Sequence, residues 1–468
     1  MRPKGEPMKR ICEFVVIGAG PAGYVAARRL GQLGREVILV ERDQVGGTCL
    51  NRGCIPTKAL YAATAPLGRR AALGEMGIEL SARVDLPRLR EWTAGMVATL
   101  RQGVEKLLGA SGVEVLKGEA RLSGPGLVRM AGEEGELELQ AEAIVLATGS
   151  APIQLPGLPF DGERVWSSRD ALALPKVPEQ LVVVGGGVIG LELATVYRRL
   201  GSQVTVVEMQ ERLLPGIGLS RRGLATLGQS LKRQGIEIRL NTAAIGCTGA
   251  GLLVRSPDGE EEIPCEAMLV AVGRRPDPTG LGLETVGIEP QRGFVATDGS
   301  FQAGSGIYVI GDLRGGPLLA HKASHEGLLV AELLAGVRDS APTDLVIPQA
   351  IFTQPEVGLV GLSEEEARAA GYQVTVGRFP LGALGRALAE GEPLGHFQLV
   401  AEKDTGRLLG AEIVAPHASD LIAEAALAIQ AGLTLESLAD TVHAHPTFPE
   451  GLWEATLAAL GRPLHALR

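Results

Sequence analysis

The chain has 468 residues, 45% of them hydrophobic and 64 of them glycine, enough for about three domains with cores of their own. Its formal net charge of -9, with lysine and arginine scattered, excludes nucleic acid and anionic membrane as natural partners and favours a small-molecule enzyme. Five cysteines do not make a secreted disulfide scaffold, MRPKGEPMKR contains no signal-peptide core, and no apolar run reaches the roughly eighteen residues of a membrane span. A soluble protein of the reducing cytoplasm is expected.

The run Phe14 to Ile17 predicts a buried strand. It ends in Gly18-Ala19-Gly20-Pro21-Ala22-Gly23, followed by a helix from Tyr24 to Leu33 and a strand from Glu36 to Val40 that closes on Glu41. This is a βαβ dinucleotide unit: glycines let the backbone turn tightly and approach a pyrophosphate at the helix N-terminus, and Glu41 can accept the hydroxyls of an adenosine ribose.

Next comes Gly46-Gly47-Thr48-Cys49-Leu50-Asn51-Arg52-Gly53-Cys54-Ile55-Pro56-Thr57-Lys58. On a regular helix the Cα atoms of Cys49 and Cys54 would stand roughly 8–9 Å apart. A disulfide tolerates only about 7 Å. The two can therefore pair only across an irregular backbone, which Gly53 and Pro56 would supply, with helix following through Lys58 and Ala62. Cys54 then lies near a helix N-terminus with Lys58 one turn on, and both the dipole and the ammonium favour a thiolate, so the pair reads as a redox-active dithiol. The alternative is a buried or zinc-bound pair, but zinc favours shorter gaps and four ligands, and no second pair stands nearby. No metal site is expected.

Val113 to Leu139 reads as a small β region, Ala143 to Gly149 as a buried strand ending in a small-residue turn, and Pro152 to Pro159 as a link. The nucleotide unit then returns, with Leu181 to Val184, Gly185-Gly186-Gly187-Val188-Ile189-Gly190, a helix to about Leu200, and Val204 to Val207 ending in Glu208. The interval repeats as well, 41 − 23 = 18 and 208 − 190 = 18. One glycine motif is a weak signal; two full copies with matched acids are a strong one. Glu208, with no clustered arginine after it, favours a free 2′-hydroxyl and hence NAD.

Ala267 to Gly273 mirrors Ala143 to Gly149, so each half should carry an inserted β meander and a last parallel strand. Beyond it, Gly306 to Ile310 predicts a strand running into Gly311-Asp312, and a helix should span about Ala320 to Leu334. Asp312 is placed to bind sugar or ribityl hydroxyls, or to serve as an ordinary cap. From about Leu345 the pattern becomes α+β, with hairpin-like Gly395 to Val400 and Leu408 to Val414 and helices at Ser419 to Ala431 and from Pro449.

The dithiol, both nucleotide units, Gly311-Asp312 and the tail His443-Ala444-His445-Pro446-Thr447-Phe448-Pro449-Glu450 together resemble the two-dinucleotide-binding flavoprotein disulfide reductases over essentially the whole chain. Ala320-His321-Lys322-Ala323-Ser324, Glu208, the tail and a cysteine-free C-terminus narrow the resemblance to the branch that reoxidises dihydrolipoyl groups. It implies an α/β chain with two Rossmann-like domains, for FAD at 1–150 and NAD at 151–277, a central segment at 278–345 completing the FAD site, and an α+β dimerisation domain at 346–468.

By the same resemblance, FAD would lie on Gly18, Gly20, Gly23, Glu41, Lys58, Gly118, Ala147, Thr148, Gly149, Asp312 and Ala320. NAD would lie on Gly185, Gly187, Gly190, Glu192, Glu208 and Gly273. Lys58 would sit near flavin N5, paired with Glu192. Cys49 would be the exchange sulfur and Cys54 the charge-transfer sulfur. A homodimer would lend His445, as general base held by Glu450, to the other subunit's cysteines. Expected partners are the dihydrolipoyl group of a lipoyl domain and the E2 core or E1-binding module of a 2-oxoacid dehydrogenase complex.

Arg52, where relatives often have an apolar residue, and His325, where an acid is common, depart from the pattern. Cys12, Cys247 and Cys265 read as core or surface residues. Other readings are an NADH-dependent reductase of another small disulfide, a non-catalytic NADH-sensing flavoprotein, and, for His445, a core or metal-site histidine.

Overall fold

The computed structural model describes residues 8–132 and 135–466, which fall into two compact units. The first seven residues, part of the stretch read as lacking a signal-peptide core, lie outside the described residues. One unit gathers the described residues up to Thr57 with Pro87–Ile153 and Gly273–Thr343; the other gathers Lys58–Leu86, Gln154–Val272 and the described residues from Asp344 on. No helix among the described residues is long and apolar enough to cross a membrane.

In the first unit, Met8–Ile17 lies between Val37–Glu41 and Gly135–Leu146, parallel to both. Glu114–Gly124 extends this sheet on one side and Ile307–Val309 on the other, again parallel. Val15, Val16, Leu39, Ile144 and Val145 at its centre are fully buried, as unbroken apolar runs in parallel sheets are. The helix Pro21–Gln32 starts directly after the glycine turn with proline in its first turn. Ala320–Leu334 packs along it, and only glycine fits at 327, where a Cβ would stand 2.3 Å from the Ala22 carbonyl oxygen.

The meander expected in this half is present, and its strands also belong to the parallel sheet. Glu114–Gly124 pairs parallel with Val37–Glu41 through its first four residues and antiparallel with Leu127–Gly132 from Gly118 on, whereas Gly135–Leu146 runs parallel beside Met8–Ile17 from Leu137 to its end while Gly135 to Gln140 also pair antiparallel with Leu127–Gly132. Along Gly135–Leu146 buried and exposed residues alternate from Leu139 to Glu142, and Ala143 to Leu146 are all buried.

In the second unit the parallel order is Ile236–Arg239, Gln203–Val207, Gln180–Val184, Ala267–Val270 and Val165–Trp166. Here the meander, Ala243–Cys247, Gly251–Ser256 and Gly259–Pro264, does form a separate antiparallel sheet. The C-terminal part of the unit is a five-stranded antiparallel sheet in the order Gln349–Ile351, Glu356–Gly361, Leu408–Ala415, His396–Glu402, Val374–Pro380. The helix Glu450–Ala459 lies close on it because Gly377 has no side chain: a Cβ there would be 1.9 Å from the Ala455 oxygen.

Candidate active site

Between Cys49 and Cys54 the backbone breaks as the spacing requires. Gly47–Arg52 and Cys54–Gly68 are separate helices, and Gly53 between them leaves helical conformation at φ −143°, ψ −111°. The break brings the two Cα atoms to 4.7 Å and the sulfurs into a disulfide. The segment is tied back to the first glycine turn. Gly46 N donates to Ala19 O at 2.8 Å, and at Gly47, with φ +59°, a Cβ would come within 2.6 Å of Gly20 Cα. Asn51 Nδ2 donates to the carbonyls of Val45 and Gly47, both at 3.0 Å, and Arg52 forms an ion pair with Asp43. Arg52 thus closes the dithiol turn onto the loop after Glu41, a use its sequence position did not suggest. His325 is exposed on its helix.

The two nucleotide turns are geometrical copies. Gly18 and Gly185 have φ of +97° and +108°; Cβ atoms on Gly23 and Gly190 would meet the oxygens of Gly18 and Gly185 at 1.8 and 2.2 Å. Gly20 and Gly187 face open space, with nothing within 4 Å of a Cβ. Glu41 accepts the amides of Ala19 and Asp43 at 2.7 and 2.8 Å, and Glu208 those of Gly186 and Gln210 at 2.7 and 2.8 Å. Each carboxylate is fixed by one bond per oxygen and keeps lone pairs for a ribose. Even the return of the chain is copied, for Leu214 N donates to Gly186 O at 2.9 Å where the first half has Gly46 on Ala19.

In the first unit the turn Ala147-Thr148-Gly149 meets the first glycine turn, since a Cβ on Gly18 would lie 2.6 Å from Ala147 O. Thr148 Oγ1, able both to donate and to accept, is buried without a hydrogen-bond partner. Asp312 Oδ2 accepts from Ser150 Oγ at 2.5 Å, and Arg274 Nε donates to the same hydroxyl at 2.9 Å. Burial lowers the guanidinium of Arg274 below its ordinary value, against the pull of Asp312. Behind Asp312, the fully buried Glu326 accepts from Gly311 N and Arg314 Nη1, both at 2.7 Å, and pairs with buried Lys322 at 3.2 Å. Ala320 opens that helix, and Gly118 lies in Glu114–Gly124 opposite Gly132.

In the second unit Lys58 Nζ lies 3.0 and 2.9 Å from the two oxygens of buried Glu192. Glu192 Oε1 also accepts from Phe352 N, at 3.0 Å. Gly273, of the first unit, has φ +120° and accepts from Ile153 N at 3.1 Å. The tail forms two acid-held histidines. His445 Nδ1 is 2.8 Å from Glu450 Oε1 with its ring 79% exposed, and Thr447 N donates to Glu450 Oε2 at 2.7 Å. Burial opposes the charge on Glu450, yet the Thr447 amide and His445 hold its carboxyl below the usual range. His443 Nε2 is 2.9 Å from Glu424, which raises its imidazole above the usual value against partial burial.

Phe352, Ser150 and Arg274 went unread in the sequence because their partners are remote along the chain, and Glu326 went unread although its partners are near. Lys322 and Glu326, four apart on an otherwise apolar helix face, were a legible hint of a buried pair. Among the described residues no group of three or more His, Cys, Asp or Glu could hold a metal.

Residues 12–327 match the family described as pyridine nucleotide-disulphide oxidoreductase, and residues 347–456 match the dimerisation domain of that family. The chain is 44% identical to a dihydrolipoyl dehydrogenase of Halobacterium salinarum and 43% identical to one of Thermus scotoductus, covering 97% of this chain and 98% and 99% of those proteins. Among solved structures it is similar to LpdA from Mycobacterium tuberculosis, with TM-score 0.87 and 30% identity over 95% of this chain and 99% of that one. A Cu(II) complex of the HOCl-induced flavoprotein disulfide reductase RclA from Escherichia coli matches with TM-score 0.84 and 28% identity over 96% and 99%.

Proposed function

Because the chain belongs to the pyridine nucleotide-disulphide oxidoreductases, we propose that it reoxidises dihydrolipoyl groups with NAD+, through the Cys49–Cys54 disulfide and a bound FAD. The observation that carries this reading is the disulfide itself, formed across a helix break and anchored by Gly46 and Gly47 to the first nucleotide turn. Relatives named dihydrolipoyl dehydrogenase, at 44% identity and nearly full length, support the substrate.

The residues fit the two nucleotides. Open space at Gly20 and the unpartnered Thr148 hydroxyl suit FAD, with Gly18, Gly23, Glu41, Ala147, Gly149 and Asp312 of the same unit; open space at Gly187 and the fixed Glu208 suit NAD, with Gly185 and Gly190. FAD, when bound, supplies the acceptor for the electron pair of the reduced dithiol and the donor of hydride to NAD+.

The chain's own part is sulfur and proton chemistry. In a homodimer, each subunit lends His445 to the other's disulfide. His445 Nε2 takes the proton of a dihydrolipoyl thiol, while Glu450 on Nδ1 fixes the tautomer and stabilises the imidazolium. The resulting thiolate attacks Cys49 Sγ, the Cys49–Cys54 bond breaks, and Cys54 leaves as thiolate. The second substrate thiol then attacks the first substrate sulfur and closes the lipoyl disulfide; Cys49 is displaced and takes that thiol's proton, so the cysteine pair has gained two electrons in all while the first proton stays on His445. The helix dipole at the start of Cys54–Gly68 and the Lys58 ammonium favour the Cys54 thiolate. The lipoyl group would arrive on a lipoyl domain of a cytoplasmic 2-oxoacid dehydrogenase complex, whose E2 core or E1-binding module is the proposed docking partner.

Assay of the purified flavoprotein with dihydrolipoamide and NAD+, beside NADH with other small disulfides, tests the substrate. His445→Gln should lower dihydrolipoamide turnover roughly 10²–10⁴-fold with FAD retained. Full activity in that variant removes His445 from the reaction.

A further inference from the structure

Between the strands Gln349–Ile351 and Glu356–Gly361 runs a short stretch, Phe352 to Pro355, that three helices of the second unit hold by its polar groups. Tyr61 Oη, on Cys54–Gly68, donates to Thr353 O at 2.6 Å. Burial pushes that phenol up to about 12, so it stays a neutral donor. Arg199, on Val188–Leu200, donates to Gln354 Oε1 at 2.8 Å; Ser230 and Gln234, on and just past Arg221–Arg233, donate to Gln354 O at 2.6 and 2.7 Å. Three of these four contacts end on backbone carbonyls of the segment that follows Phe352, and the fourth holds the Gln354 side chain.

Phe352 then touches both members of one ion pair. Its amide donates to Glu192 Oε1 at 3.0 Å, and its ring, set edge-on to Tyr61 with centroids 5.9 Å apart, faces Lys58 Nζ 4.3 Å from its centroid. An ammonium on a four-carbon stem has a wide choice of positions, and a single carboxylate at its end narrows that choice only in part. The aromatic face supplies a second attraction from another direction, and the amide keeps the carboxylate from following the ammonium toward water.

We propose that Phe352 is a positioning residue for Lys58, holding its ammonium in place through the ring and its counter-ion in place through the amide. The inference deepens the reading above, in which the Lys58 ammonium favours the Cys54 thiolate, and rests on it for its functional consequence. Leucine at this position keeps the amide and much of the apolar volume but removes the ring face, which makes Phe352→Leu the informative change.

Two readouts separate positioning from mere packing. Lys58 acylation by acetic anhydride, followed by peptide mass spectrometry in the FAD-loaded protein, should run roughly three- to tenfold faster in Phe352→Leu, and at the parent rate in Phe352→Tyr. In the enzyme reduced anaerobically by two electrons, the long-wavelength thiolate-to-flavin band and turnover should both fall in Phe352→Leu, recover in Phe352→Tyr, and show no further loss when Phe352→Leu is added to Lys58→Met. Unchanged acylation in Phe352→Leu, or an equal loss in the Lys58→Met background, overturns the proposal. Should the leucine variant not fold, Phe352→Met is judged by the same two readouts. A parent enzyme with no such band refutes the functional reading instead, and the acylation ratio still decides the placement of Lys58.

Discussion

Glu326→Ala should loosen the turn that presents Asp312, by an amount set by which of its three donors can escape to water. Arg314 can, since its side chain is 33% exposed; Lys322 cannot, with a side chain 4% exposed. Lys322 would keep only the carbonyls of Gly315 at 2.5 Å and Gly311 at 3.4 Å. Removing one partner of a buried ion pair costs about 3–5 kcal/mol, and with Arg314 free and two carbonyls retained the loss belongs at the lower end, about 3 kcal/mol. That is on the order of a hundredfold in the population of the opened turn. Urea-induced release of flavin from the FAD-loaded protein, followed by flavin fluorescence, measures it without assuming that the two units unfold as one. Glu326→Gln keeps an acceptor for Gly311 N and should lose less than the alanine variant. A release midpoint for Glu326→Ala that moves by the equivalent of less than about 1 kcal/mol would refute the buried-charge argument.

The duplicated glycine turns predict separable defects. Gly190→Ala, which forces a Cβ to 2.2 Å from the Gly185 oxygen, should abolish NAD+-linked turnover with flavin absorbance intact, whereas Gly23→Ala should lose the flavin itself; the opposite pattern contradicts the assignment of the two turns. The His443–Glu424 pair predicts a pH-dependent contribution to stability. The raised imidazole binds its proton more tightly when folded, so the contribution is complete below the ordinary value of 6.5 and disappears as pH rises through the raised one. The thermal midpoint of Glu424→Gln should therefore lie below the parent's at about pH 5.5 and coincide with it at about pH 8.5, with a difference under about 1 kcal/mol because Glu424 is partly exposed.

What could be read from the sequence was what lies close together along it. The glycines and acid of each nucleotide unit, and the two cysteines with Gly53 between them, carry their geometry within a few tens of residues, so turn chemistry and helix arithmetic sufficed. The meander of the first unit was legible but its sharing of strands with the parallel sheet was not, because strand pairing is non-local: nothing within Gly135–Leu146 states that one end pairs with Leu127–Gly132 while the strand also runs beside Met8–Ile17. Phe352 escaped for the same reason, standing 160 residues from the carboxylate its amide holds, and so did Arg274, 124 residues from Ser150. Arg52 was noticed as a departure, but its pairing with Asp43 depends on the turn at Gly46 and Gly47, which only the folded loop displays.

Electron entry through the sulfurs is tested most directly by adding two electrons to the anaerobic flavoprotein while recording its visible spectrum and labelling its thiols. The account predicts a long-wavelength thiolate-to-flavin band, Cys49 and Cys54 newly open to alkylation, and no band in Cys54→Ser. Bleaching of the flavin with the Cys49–Cys54 bond still intact would contradict it.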